Sequence, residues 1–200
     1  MANANRPVGL APVSYLNGAK YTGAAREYCI LSTDGSAYAI GDPVASGGTG
    51  DGAGVSNVVL ATAGAGNAIR GIIVGTRGIK YGAGMVDPAS LDTTIIPATK
   101  TKNYYVLVVD DPNVIFEAQE DSIGNNLAVT DLSSNMDIVS GTNNGYVSGW
   151  MLDSSTVNTG STRQVKLLGL AQRSDNAVGQ YGKWLVLINN HELRGGITGV

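Results

Sequence analysis

Few side chains in this 200-residue sequence combine the types and spacing that chemistry demands. A Ser or Cys nucleophile needs a base, usually a His oriented by a carboxylate. The chain carries one His and one Cys. His191, beside Glu192 just past the last expected strand, could in principle pair with Cys29, but no nucleophile motif of the GxSxG kind accompanies it. A strand-end His at a surface or interface is the preferred reading. Carboxylates gather at Asp110, Asp111, Glu117, Glu120 and Asp121, and a pair at suitable separation can hydrolyse glycosides. Asp110 and Asp111 sit at a turn, however, where Asp serves the backbone. Lacking an assembled acid, base and positioning group, the sequence points away from an enzyme.

Binding chemistry is equally thin. A lone Cys cannot close an internal disulfide, and no CxxC or Cys/His cluster offers a metal site. Gly48, Gly50 and Ala53 match the GxGxxA dinucleotide fingerprint. That motif works only between a strand and a helix, and here a strand-like VSNVVLATA follows. No cofactor is expected. Trp150, Trp184 and nine tyrosines could stack on sugar rings. Trp184 lies in a buried-strand pattern. Trp150 follows Gly149 in a turn-rich region and is the candidate exposed aromatic, either a sugar platform or the anchor of a protein interface.

Any such residues must be carried by strands. The chain holds 28 Gly, with Val, Ile, Thr and Tyr abundant and helix formers scarce. Only 14% of residues are charged, against about a quarter in ordinary soluble domains. That deficit fits a surface covered by a partner, or a monomer faced with Ser, Asn and Thr. A net charge of −3 without a dense Lys/Arg cluster gives no pull towards nucleic acid. The sequence lacks both a signal-peptide-like start and the roughly 20-residue apolar run of a membrane helix, so a soluble protein made in a cytosol is expected.

The central expectation is Tyr104 to Glu120, read as a core hairpin. Its first strand is apolar on both faces and its second alternates, with Asp111-Pro112-Asn113 as the turn. Other strands are expected at Arg26–Leu31, Tyr38–Val44, Asn57–Thr62, Ile69–Val74, Gln164–Leu170 and Lys183–Asn190, with a short one hidden at Thr93–Ile96. Ala45 to Gly54 reads as a flexible surface loop, and Asp131 as the cap of one helical turn through Met136. Residues 1–22 and 192–200 read as extended arms flanking a single β domain, 23–191. Turn-rich and nearly helix-free, the chain is expected to be all-β: a jelly-roll-like β-sandwich or barrel with extended N- and C-terminal arms.

Three stretches carry a resemblance: MANANRPVGLAPVSYLNG, IPATKTKNYYVLVVDDPNVIFEAQED, and VKLLGLAQRSDNAVGQYGKWLVLINNHELRGGITGV. In this order of features the chain resembles the capsid decoration, or cement, proteins of tailed bacteriophages. The resemblance implies a β subunit on the outer capsid surface of the virion, made in the bacterial host cytoplasm. Its partners would be the major capsid protein and sister copies in a dimer or trimer. It brings no catalytic residues and no nucleic-acid or membrane partner. Interface residues expected on this reading are Arg6 and Pro7 in one arm, Arg194 in the other, and Trp150 and His191 in the domain. A carbohydrate-binding β-sandwich is the alternative.

Overall fold

A computed structural model describes residues 3–81, 85–86 and 94–194, with backbone alone at 78–81 and 85–86. In chain order the strands are β1 (Ala11–Tyr15), β2 (Arg26–Ile30), β3 (Tyr38–Ala39), β4 (Pro43–Gly50), β5 (Ser56–Leu60), β6 (Gly71–Tyr81), β7 (Met85–Val86) and β8 (Ile95–Ile96). They continue as β9 (Tyr104–Val109), β10 (Val114–Gln119), β11 (Asn135–Met136), β12 (Ile138–Val139), β13 (Met151–Leu152), β14 (Val165–Leu170) and β15 (Lys183–Ile188). The chain is all-β, as its composition requires.

One sheet runs β4-β5-β2-β9-β6-β7, and β6 pairs back onto β4 through Pro43↔Ile72 and Val44↔Gly71. Its first five strands therefore close into a barrel, and β7 pairs with the far end of β6. Alternation along the strands turns Tyr28, Ile30, Val44, Val58, Ile73, Val106 and Val108 to one side, where they form one buried cluster. Tyr38 and Ile96, from the paired β3 and β8, join that cluster.

The second sheet runs β1-β10-β15-β14-β11. Its inner face presents Val114, Phe116, Ala118, Val165, Leu167, Trp184, Val186 and Ile188, packed with Ile72 and Val109 of the barrel's outer wall. Each large side chain buried there stabilises the fold by roughly 1.5–3 kcal/mol. Both β9 and β15 have a laddered neighbour on each side, as their two apolar faces demanded.

The expected core hairpin is corrected. Asp111 does form the turn, its Oδ1 accepting Asn113 N–H at 2.8 Å and its carbonyl accepting Val114 N–H at 3.2 Å. Yet β9 ladders with β2 and β6, while β10 ladders with β1 and β15. The turn is a corner between two sheets. The expected loop at Ala45–Gly54 is also corrected, since β4 runs to Gly50 and pairs with β5. Gly47 is needed there because any Cβ would strike the Asn57 side chain, whose Oδ1 accepts Thr49 N–H at 2.9 Å. Asp131 ends a 3-10 turn, Val129–Asp131, rather than starting a helix, and Asn135–Met136 is strand.

The N-terminal arm is no loose arm over the described residues. Leu10 is 1% exposed in the core, and β1 pairs with β10 from Ala11↔Glu117 to Tyr15↔Val114. Residues 19–21 fold back over the outer edge of β1, with Tyr15 N–H on Ala19 O at 2.8 Å and Tyr21 N–H on Val13 O at 3.1 Å. Residues 3–21 are thus a strap bound to the domain. At the other end, Glu192 N–H donates to Ile69 O at 3.1 Å, so the second arm begins docked. Residues 195–200 of that arm, and Thr93 of the hidden strand, lie outside the described residues.

Candidate interaction surface

The strap is seated by close backbone contact. Gly9 and Gly41 face each other with no room for a Cβ on either, and both have positive φ, so only glycine serves. Leu10 N–H donates to Gly41 O at 3.1 Å, and Ser148 N–H to Ile40 O at 2.8 Å. Strap, barrel end and the 147–148 segment therefore meet at one junction. Above it lies a groove of ≈ 390 Å³ whose walls include Val8, Pro12, Tyr21, Ile40, Val74 and Val147. No lining residue is charged.

The strap and the segment across the junction leave large apolar side chains in water. Val8, Val13 and Leu16 on the strap are 38%, 42% and 48% exposed. The bulge between Pro12 and Ser14 takes Val13 out of the ladder, and Pro12, with no N–H to donate, is tolerated in this edge strand. Across the junction Tyr146 is 68% exposed beside Val147. The Asn143-Asn144-Gly145 turn presents it: Asn144 Oδ1 accepts the N–H groups of Tyr146 and Val147, both at 3.0 Å. An uncharged groove rimmed by apolar residues is chemistry for a protein partner.

Arg6 and Pro7 lie on this strap, where with Thr142, Asn144 and Ser148 they line an adjoining cleft of ≈ 460 Å³. Trp150 is corrected: it is 4% exposed and packed in the core, so it offers no aromatic platform. Gly149 before it reflects crowding, since a Cβ would strike Thr142 O, rather than a flexible exposed turn. His191 is likewise corrected, being 1% exposed. Its Nδ1 accepts Leu193 N–H at 3.0 Å, which places the neutral ring's proton on Nε2. Burial, followed by the positive charges of Arg194 and Arg70, pushes its pKa down to about 4. Half-buried Arg194 donates from Nη2 to Ile188 O at 3.3 Å. The C-terminal pair is thus part of a packed turn, apart from the strap.

No family model, curated protein or solved structure matches the chain.

One dense cluster of titratable groups lies near His191. Tyr28 OH donates to Asp110 Oδ2 at 2.7 Å and accepts from Arg70 Nε at 3.0 Å. Arg70 also pairs with Glu192 at 3.5 Å, and Glu192 Oε1 accepts Ser46 N–H at 2.7 Å. Burial and then Asp110 raise the Tyr28 pKa, so the phenol stays a donor. These groups tie β2, β4 and the C-terminal segment together. Cys29 is fully buried and opposes Asn57 and Tyr105 in the barrel ladder. Among the described residues no group of three or more His, Cys, Asp or Glu is placed to hold a metal, and no helix is long and apolar enough to cross a membrane.

Val8, Val13, Leu16 and Tyr146 were not singled out by sequence reasoning. Their only signal is apolar character inside Pro-, Gly- and Asn-rich stretches where loops are ordinarily polar.

Proposed function

We propose that this chain is a structural protein of a bacteriophage virion. It binds the outer capsid surface, stabilising contacts between capsomers, and associates with copies of itself as a dimer or trimer. The supporting observation is the fixed strap, which carries exposed Val8, Val13 and Leu16 and, through Val8 and Pro12, walls an uncharged groove. The resemblance of three sequence stretches to capsid decoration proteins and the 14% charged composition favour the same reading. A docked strap changes the energetics expected of an arm. An arm that orders on binding gives up conformational entropy at that moment, whereas this one has already done so in folding. Its contacts can contribute nearly in full.

The test is cosedimentation with shells of the corresponding major capsid protein lacking this component, with solution mass measured in parallel. Saturable binding is expected. Val13→Asp with Leu16→Asp, both at exposed positions, is expected to weaken it at least about tenfold, a loss of about 1.4 kcal/mol, with an unchanged circular dichroism spectrum. Failure of the wild-type protein to bind shells overturns the function; undiminished binding by the variant overturns the strap's part in it.

A further inference from the structure

A second cleft, of ≈ 330 Å³, opens where the first residues of the strap meet the loop between β14 and β15. Its lining holds three cations, Arg6, Arg173 and Lys183, and one carboxylate, Asp175. Arg173 is already engaged, by Asp175 at 3.1 Å and by Glu117 at 2.9 Å. Arg6 and Lys183 make hydrogen bonds through their backbone N–H groups, to Gln119 and Asn176. Among the described residues neither charged end makes an ion pair, although the Lys183 ammonium acts at longer range on Asp175, and the Tyr181 hydroxyl, in the same lining, has no hydrogen-bond partner. In a chain of net charge −3, this gathers two cations without ion pairs and a phenol donor in one place.

The cleft is rigidly built. Asn3 reaches across the chain, its Nδ2 donating to Ala177 O and Gln180 O and its Oδ1 accepting Ala177 N–H, all at 2.9 Å. Asn176 ties the loop to itself, donating to Ala171 O and Lys183 O at 2.8 Å and accepting Lys183 N–H at 2.9 Å. Tyr181 is held at φ 59°, a left-handed conformation that a non-glycine residue adopts only under constraint. Its N–H donates to Ser122 Oγ at 2.6 Å, and Ser122 has the same φ of 59°. Gly182 has no open space for a Cβ, with Trp184 Nε1 and Gly179 O both 3.0 Å away. Strain maintained by this many constraints fixes the backbone from which the Tyr181 and Lys183 side chains project, and a rigid frame is what a small ligand site requires.

We propose that this cleft binds a small ligand through an oxyanion, carboxylate or phosphate, held by the Arg6 guanidinium, the Lys183 ammonium and the Tyr181 hydroxyl. The guanidinium fork suits two oxygens of one group, and Lys183 adds a point charge. The site does not depend on the capsid reading.

The test is an amide NMR titration of the full chain at constant ionic strength with inorganic phosphate and, separately, sodium glucuronate; glucose and sodium chloride serve as controls. Saturable shifts are expected at residues 3–6 and 173–183 with at least one of the two anions and with neither control. Arg6→Ala and Lys183→Ala are each expected to weaken binding about fivefold, roughly one charge-assisted hydrogen bond, leaving the rest of the spectrum in place. Lys183→Arg is expected to retain it. Saturation by phosphate alone assigns a phosphate ligand, and saturation by glucuronate alone a sugar carboxylate. Shifts matched by chloride, absent with both anions, or unchanged in both alanine variants overturn the proposal.

Discussion

Lowering the pH is expected to destabilise this protein through His191, the only histidine in the chain. Its pKa is about 4 when folded against 6.5 for a free imidazole. Protonating Nδ1 would remove the acceptor of the Leu193 N–H bond and place a cation beside Arg194 and Arg70; Asp110 and Asp111 act oppositely as weaker influences. Between pH 6.5 and 4 the unfolded chain binds more protons than the folded one, so stability is complete above that window and falls as pH drops through it. The whole effect is about 3 kcal/mol, of which about 2 kcal/mol is gone at pH 5. With a urea dependence of roughly 1–3 kcal/mol/M, the wild-type midpoint should fall by about 1 M between pH 7 and 5 relative to His191→Gln. Carboxylate titrations common to both proteins cancel in that comparison. The single imidazole NMR signal should stay neutral down to pH 5. A folded-state imidazole titrating near 6.5, or a variant with undiminished pH dependence, would refute the reasoning.

Two further outcomes follow from buried polar groups. Gln164 is fully buried and uses its whole amide: Oε1 accepts from Gly64 N–H at 2.9 Å and Ile138 N–H at 3.3 Å, and Nε2 donates to Thr62 O at 2.9 Å and Asn67 O at 3.1 Å. Gln164→Leu should cost about 2–4 kcal/mol in urea unfolding, since buried Ile138 N–H stays unpaired while the loop groups regain water. Glu120, fully buried with Oε1 unpartnered, has a pKa raised by burial, so wild-type stability declines as pH rises through its window. Glu120→Gln should therefore stabilise the protein at pH 7 by about 1 kcal/mol, with the gain shrinking under acid in the same assay.

Local patterns in the sequence foretold local structure well. Two apolar faces in Tyr104–Val109 and Lys183–Ile188 meant central strands, and Asp111-Pro112-Asn113 meant a turn. Turn chemistry cannot state whether the flanking strands ladder together, and here they part into different sheets. The glycine-rich β4 was obscured because a ladder needs backbone groups rather than side chains. At the strap, Leu10 gave no periodic signal because one inserted residue and paired glycines do the anchoring. Asn3, Asn176 and Gln164 look like ordinary surface amides in sequence. Asn3 and Gln164 find partners about a hundred residues or more away, beyond the reach of any local pattern.

The parting of β9 and β10 at that corner sets a timetable for synthesis. Every barrel strand lies between Arg26 and Val109, so the barrel can close once that stretch has left the ribosome. The other sheet cannot. Its strap strand waits for β10, about a hundred residues later, and β10 reaches β14 only through β15, later still. At about 5–20 residues per second, the nascent chain carries an apolar strap and a half-covered barrel wall for several seconds. Emergence of β15 therefore completes the fold: a ribosome that stalls before it leaves a closed barrel with its outer wall bare, a substrate for chaperones and proteases.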